Sequence, residues 1–280
     1  MSGISNSTLS LLSDYQRILV VQPLVGIGDM LWHKPWIDEL GVSFKITLAT
    51  KPTVKAPSIF HDMPDSFEHL DISRSLRDKN GRHDGFFGLF RLVADFKKTC
   101  ADAAIILHYS SRYALAARLA GIPIILGYGK TRNGLLYSAG QGLNKEWRAK
   151  HAIDRVSEFA HLNGFGINNP VWRIKPSDEG MSEARDLLVK LGFNKGGASS
   201  RQSPYLVLGV GAMHPERQWG AENFTGLASA VLNRQKHYRI MVIGGPDEIP
   251  LLAQIEAGLD HLLSPQLRQH VAFFSASLPT

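Results

Sequence analysis

Three glycine-containing turns carry the residues best suited to chemistry, and each directly follows an apolar run. The first is Gly26-Ile27-Gly28-Asp29, after Arg17–Gln22 (RILVVQ). A carboxylate at the start of a helix is kept ionised by the helix dipole, and within about 3 Å of a hydroxyl it can act as a general base. The turn is not a dinucleotide fingerprint, because the third glycine position is occupied by Leu31 and Asp29 stands where a pyrophosphate would sit. It suits a neutral hydroxyl better. The plain alternative is an aspartate that only caps its helix.

The second turn is Gly209-Val210-Gly211-Ala212-Met213-His214-Pro215-Glu216-Arg217-Gln218-Trp219. Glycines, two side chains able to carry positive charge (His214 and Arg217) and a following helix together suit a phosphate. The alternative is a polar connecting loop with Trp219 packed into the core. The third turn is Gly244-Gly245-Pro246-Asp247-Glu248. Glycine allows close approach of a ligand there, and an acidic side chain can bind ribose hydroxyls. A tight turn capping the next helix would look the same. Arg74, Arg77, Lys79 and Arg82 form a basic stretch that is either a solvated loop or a contact for an anionic partner.

Several chemistries are missing their signatures. The chain has no Asp-x-Asp pair, no Cys/His spacing for zinc, no GxxxxGK[ST] and no GxSxG. Neither a metal nor a cofactor is expected. The net charge of +6 tolerates an anionic partner, but no nucleic-acid module and no aromatics interleaved with the basic residues are present. The one cysteine, Cys100, excludes an internal disulfide and suits a reducing compartment. Met1–Arg17 is polar and serine-rich, unlike a secretory signal, and the apolar stretch Ala103–Leu126 is broken by His108, Arg112 and Arg118. A cytoplasmic protein is expected, with peripheral contact at the inner face of the membrane as an open extension.

The elements that must hold these turns alternate between strand and helix. The patterns predict strands over Arg17–Gln22, Phe44–Ala49, Asp102–His108 and Ile122–Tyr128, and helices over Asp29–Leu40, Asp84–Lys98, Ser111–Ala120 and His151–Gly164. Ile167–Asp178, with Asn168-Asn169-Pro170 and Lys175-Pro176, reads as a linker. After a helix at Ser182–Leu191 and a polar loop at Lys195–Pro204, the alternation restarts. It runs through strand Tyr205–Gly211, helix Ala221–Gln235, strand Tyr238–Gly244, helix Ile249–Leu259 and strand His270–Ser275. The expected architecture is α/β, with two Rossmann-type parallel-sheet domains at 1–170 and 171–280, the second incomplete. Only three strands follow the linker and no closing helix follows Leu278-Pro279-Thr280, which favours a truncated version of a longer protein.

Taken together, the segments resemble glycosyltransferase family 9, the ADP-heptose:lipopolysaccharide heptosyltransferase family. The resemblance rests on Ile18–Leu31 (ILVVQPLVGIGDML), Ser110–Gly129 (SSRYALAARLAGIPIILGYG), Leu206–Phe224 around Arg217-Gln218-Trp219, and Ile240–Glu248 (IMVIGGPDE). The helix at His151–Gly164, with His151 and Arg155, also resembles the family. It implies a GT-B fold with the acceptor on the first domain, the ADP-sugar on the second, and the active site in the cleft between them. By that resemblance Asp29 is the general base of an inverting, metal-independent transfer of a sugar, ADP-heptose being the expected donor, onto a lipopolysaccharide-core or similar glycan or glycolipid. Gly28, Arg74, Arg77 and Arg82 are then expected at the acceptor. Gly211, His214, Arg217, Trp219, Gly245 and Asp247 or Glu248 are expected at the donor. Arg217 replaces the family's usual lysine and can fork between two oxygens. The family's Asp-[Ser/Thr]-Gly-x-x-His segment and last helix would lie beyond Thr280. Two other readings compete: a truncated non-catalytic paralogue, and a GT-B-like nucleotide-sugar epimerase, which would need further acid/base residues in the second domain.

Overall fold

A run of isoleucine, leucine and valine offers no polar face to water, and Arg17–Gln22 accordingly forms a strand (β1) buried at every position after Arg17. In the computed structural model, which describes residues 16–63, 65–75, 81–129, 136–190, 192–193, 204–212 and 215–275, β1 is the middle of a five-stranded sheet. Its neighbours are β2 (Lys45–Thr50) and β4 (Ala103–Ile106), with β3 (Phe67–Asp71) and β5 (Ile124–Gly127) at the edges. Every pairing is parallel; Val20, for example, lies opposite Leu48 on one side and Ile105 on the other.

Successive side chains of β1 alternate between two dry layers. Ile18 and Val20 pack with Trp36, Ile37 and Leu40 of helix α1 (Ile27–Ser43) and with Val156 and Phe159 of a later helix, Ala152–Leu162. Leu19 and Val21 pack with Leu92 and Phe96 of Gly85–Lys98 and with Ala114 and Ala117 of Ser111–Leu119. Each large side chain fully removed from water here contributes about 1.5–3 kcal/mol. Buried Lys34 is, with His33, a polar exception in α1. Its ammonium holds both Asp38 oxygens at 2.8 and 2.9 Å and lies over the Phe60 ring.

Two features depart from the sequence reading. Helix α1 begins at Ile27, so Asp29 occupies its third turn-forming position and Gly26 is the cap. The edge strand β3, with sequence FEHLD, has no counterpart among the predicted strands. Its acidic residues are poor strand formers, and pairing stabilises it instead: Glu68 is bridged by Lys45 at 2.8 Å across the edge. The short helix Ala56–Ile59 (α2) lies in the same unassigned region. The three longer helices of the sheet layers, in chain order, are α3 (Gly85–Lys98), α4 (Ser111–Leu119) and α5 (Ala152–Leu162).

The chain divides into two compact units, Met1–Lys175 and Pro176–Pro279. The second holds the exposed helix α6 (Asp178–Lys190) and a parallel sheet of β6 (Tyr205–Gly209), β7 (Arg239–Gly244) and β8 (Val271–Ser275), in that order. Helices α7 (Ala221–Arg234) and α8 (Ile249–Leu262) cover the sheet through Phe224, Ala228, Leu232, Leu252, Ile255 and Leu259. The two helices approach closely because Gly258 has no side chain; a Cβ there would lie 2.9 Å from the Thr225 methyl. Among the described residues no helix is long and apolar enough to cross a membrane.

Candidate functional site

Parallel strands bring all their carboxyl ends to one rim, and in the first unit that rim collects ionisable groups. After β1 the chain turns through Gly26, whose N–H donates to Asp29 Oδ2 at 3.1 Å. The half-buried carboxylate therefore spends one oxygen on its own turn, and no bond among the described residues engages Oδ1. A Cβ on Gly26 would lie 2.7 Å from Oδ2, so glycine is what lets the carboxylate fold back. Gly28 is exposed beside it, with open space where a Cβ would project.

Beneath this turn, His33 Nδ1 lies 2.6 Å from the Asp29 carbonyl and Nε2 lies 3.3 Å from the Tyr128 hydroxyl. A carbonyl only accepts, so Nδ1 carries the proton and Nε2 accepts from the tyrosine. Burial, reinforced by the Arg155 charge, lowers the His33 pKa to about 4 against the pull of the Asp29 bond, and the ring is neutral. Burial likewise pushes the Tyr128 hydroxyl up. The Asp29 turn thus rests on a neutral, hydrogen-bonded pair whose far member follows β5.

The rest of the rim is cationic. His108, after β4, is pushed down first by burial and then by Arg155, Arg74 and Lys51, three cations supplied by α5, the segment after β3 and the end of β2. Arg148 and Arg155 lie over the Tyr109 ring at 4.8 and 5.9 Å. His151, at the start of α5, meets the Trp32 ring edge-on at 4.5 Å. Arg112 donates to the carbonyls of His83 and Gly85 at 3.0 and 2.7 Å.

The basic stretch does not act as one patch. Arg74 turns to Asp84 at 3.4 Å and to the Tyr113 face, beside the rim. Arg82 instead forks onto buried Asp95, which also receives His83 and Lys98. Burial favours the neutral Asp95, yet hydrogen bonds from Arg82 and His83 bring its pKa down to about 2. Arg82 is thus already neutralised. Arg77 lies outside the described residues.

In the second unit, the turns after β6 and β7 meet through one carboxylate. Glu248 Oε2 accepts from Gly245 N–H at 2.8 Å, and a Cβ on Gly211 would lie 3.0–3.3 Å from the same group. Ser275, ending β8, donates to the Gly245 carbonyl at 3.2 Å. Glu248 therefore braces the rim, while neighbouring Asp247 is exposed. Arg217 is also exposed. Trp219 is 53% exposed and touches Phe224 edge-on, so it is not the core residue that a plain connecting loop would supply. Gly220 after it has φ 91°, a conformation open to glycine, and caps α7. His214 lies outside the described residues.

Sequence reasoning did not single out Lys51, Tyr109, Arg112, Arg148, His33 or Tyr128. The signal was positional: Lys51, Tyr109 and Tyr128 all lie just past strand ends.

Two α/β units, each built on a parallel sheet, give the GT-B-like architecture of glycosyltransferases. The family model for glycosyltransferase family 9 (heptosyltransferase) matches residues 89–269. That span exceeds half of the chain, and the chain belongs to this family. It includes Arg112, Arg155, Gly211, Arg217, Trp219, Gly245, Asp247 and Glu248 and begins after Asp29.

Three solved structures share the fold. The glycosyl transferase family 9 from Veillonella parvula DSM 2008 matches with a TM-score of 0.65 and 19% identity, over 86% of this chain and 67% of that one. The E. coli ADP-heptose lps heptosyltransferase II matches with a TM-score of 0.60 and 17% identity, over 93% and 72%. The E. coli heptosyltransferase WaaC with ADP matches with a TM-score of 0.54 and 16% identity, over 94% and 76%. Comparison with curated protein sequences finds no match.

Proposed function

We propose that this chain transfers a heptose from an ADP-sugar to a hydroxyl of a lipopolysaccharide-core or similar glycan acceptor, with inversion and without a metal. The observation that carries this reading is the carboxylate of Asp29, braced by Gly26 N–H at a rim that also holds Lys51, Arg74 and Arg155, with Asp84 already engaged by Arg74 and backbone N–H groups. An acidic acceptor is held by Lys51, Arg74, Arg148 and Arg155, which leaves its neutral hydroxyl to the carboxylate. As that oxygen forms its bond to the anomeric carbon, its proton passes to Asp29. The bond from the anomeric carbon to the diphosphate breaks on the opposite face, and ADP departs with the electron pair.

On the donor side, this reading gives Arg217 and the N-terminus of α7 the task of offsetting charge on the leaving diphosphate, and the exposure of Arg217 supports it. Gly211 and Gly245 permit close approach, Trp219 offers an exposed ring, and His214 joins them by resemblance. Asp247 is better placed for the ribose than Glu248, whose carboxylate is committed to Gly245. The ADP named with the E. coli heptosyltransferase supports that choice of nucleotide.

The test is turnover of ADP-heptose with a truncated lipopolysaccharide core, alongside calorimetric titration with ADP and UDP. Asp29→Asn should lower transfer by about 10²–10⁴-fold and leave ADP affinity unchanged. Full turnover in that variant removes Asp29 from its role, and equal affinity for UDP removes the ADP preference.

A further inference from the structure

Helix α3 is covered on one side only. Leu92 and Phe96 pack on the sheet and Gly88 and Asp95 are buried against the His83 segment, while Phe86, Phe87 and Phe90 are exposed by 70%, 76% and 53%. Phe86 meets Phe87 and Phe90 edge-on, with ring centroids at 5.8 and 5.2 Å, so the three rings form one platform. Lone exposed apolar side chains are ordinary, but a contiguous aromatic platform marks an interaction surface. The same solvent face carries Arg91, Lys97 and Lys98. The only carboxylate in the helix, Asp95, is buried among its partners. The exposed face is therefore aromatic at one end, basic at the other and free of acid.

We propose that this face of α3 docks on an anionic lipid bilayer. The phenylalanine rings enter the boundary between headgroups and acyl chains, and Arg91 and Lys97 meet lipid phosphates. A second copy of the chain is the poorer occupant, because it would present the same acid-free face and offer no anionic group to Arg91 and Lys97. The platform also adjoins the acceptor rim: Arg112 of the rim is bonded to the carbonyl of Gly85, the residue before Phe86. A bilayer in contact with the platform thus lies next to the cations assigned to an acidic glycolipid. That consequence rests on the proposed function; docking itself does not.

Sedimentation with phosphatidylcholine vesicles, with and without about one third phosphatidylglycerol, tests the proposal without donor or acceptor. The full chain should pellet with the anionic vesicles and release as salt screens the charges. Phe86→Ser with Phe87→Ser should weaken binding by at least about tenfold, and Arg91→Gln with Lys97→Gln by about fivefold per cation. Val42→Ser, at an exposed apolar residue of α1, should change nothing. The replaced side chains are exposed, and unchanged circular dichroism and melting confirm the fold. Three results overturn the proposal: no binding to anionic vesicles, equal binding by the double-serine variant, or a dimer that this variant dissociates while vesicles are ignored. Turnover on a short soluble acceptor is a separate readout, so a failure of docking and a failure of sugar transfer are distinguishable.

Discussion

His33 lies beneath the first turn of α1 as a fully buried, neutral imidazole, with Nδ1 held by the Asp29 carbonyl and Nε2 by Tyr128. Its pKa is lowered from 6.5 to about 4, first by burial and then by Arg155. The folded chain thus binds this proton less readily than the unfolded chain. The associated stability is complete above about pH 6.5 and is lost as pH falls toward about 4. With those two values the loss is negligible at pH 7.5 and reaches about 2 kcal/mol at pH 5. His33→Gln replaces the ring with an amide that does not titrate. It should carry a cost that is the same at every pH, from poorer packing and altered hydrogen bonds, and should lack the roughly 2 kcal/mol component of the slope. Urea unfolding at pH 7.5, 6.0 and 5.0, followed by tryptophan fluorescence, measures this; four of the five tryptophans belong to the first unit. Other buried histidines titrate in both proteins and cancel in the difference. If wild type and variant lose equal stability between pH 7.5 and 5.0, His33 is not the buried neutral group described, and the support it gives the Asp29 turn falls with it.

Three further outcomes are expected. Gly26→Ala keeps an allowed backbone (φ −90°) but drives a methyl to within 2.7 Å of Asp29 Oδ2; transfer should drop at least about tenfold with little change in melting, and an unaltered rate would contradict the assigned geometry. Gly88→Ala should destabilise by about 1–3 kcal/mol, because its Cβ would lie 2.3 Å from the His83 backbone; the usual helix gain from alanine, seen in thermal unfolding, would show that α3 does not pack on that segment. Asp95→Asn should cost about 2 kcal/mol at neutral pH and progressively less as acid protonates the wild-type carboxylate between about pH 4 and 2; a cost that persists at pH 2 would mean the charge is not what is lost.

Local pattern carried most of the architecture. Arg17–Gln22 and Tyr238–Gly244 read as strands because a parallel strand with two dry faces is a nearly continuous apolar run, and the glycines at their ends marked where ligands could approach. β3 escaped because an edge strand needs no apolar run: FEHLD is stabilised by Ile46–Thr50 beside it and by Lys45, partners about twenty positions away. The rim escaped for a related reason. Lys51, Arg112 and Arg148 form no motif, and only parallel pairing of strands distant in sequence gathers them, with Arg155, at one end of the sheet. Neighbours in sequence were also separated. Arg74 and Arg82 belong to one basic stretch, yet Asp84 keeps the first by the rim and Asp95 takes the second away. The adjacent carboxylates Asp247 and Glu248 divide in the same way, one solvated and one holding Gly245. The alternation of strand and helix along the chain was thus determined by short-range patterning, whereas the order of strands in each sheet and the partner of each charge were decided in the folded chain, where a buried carboxylate or cation is tolerated only beside whichever opposite charge or N–H the packing delivers.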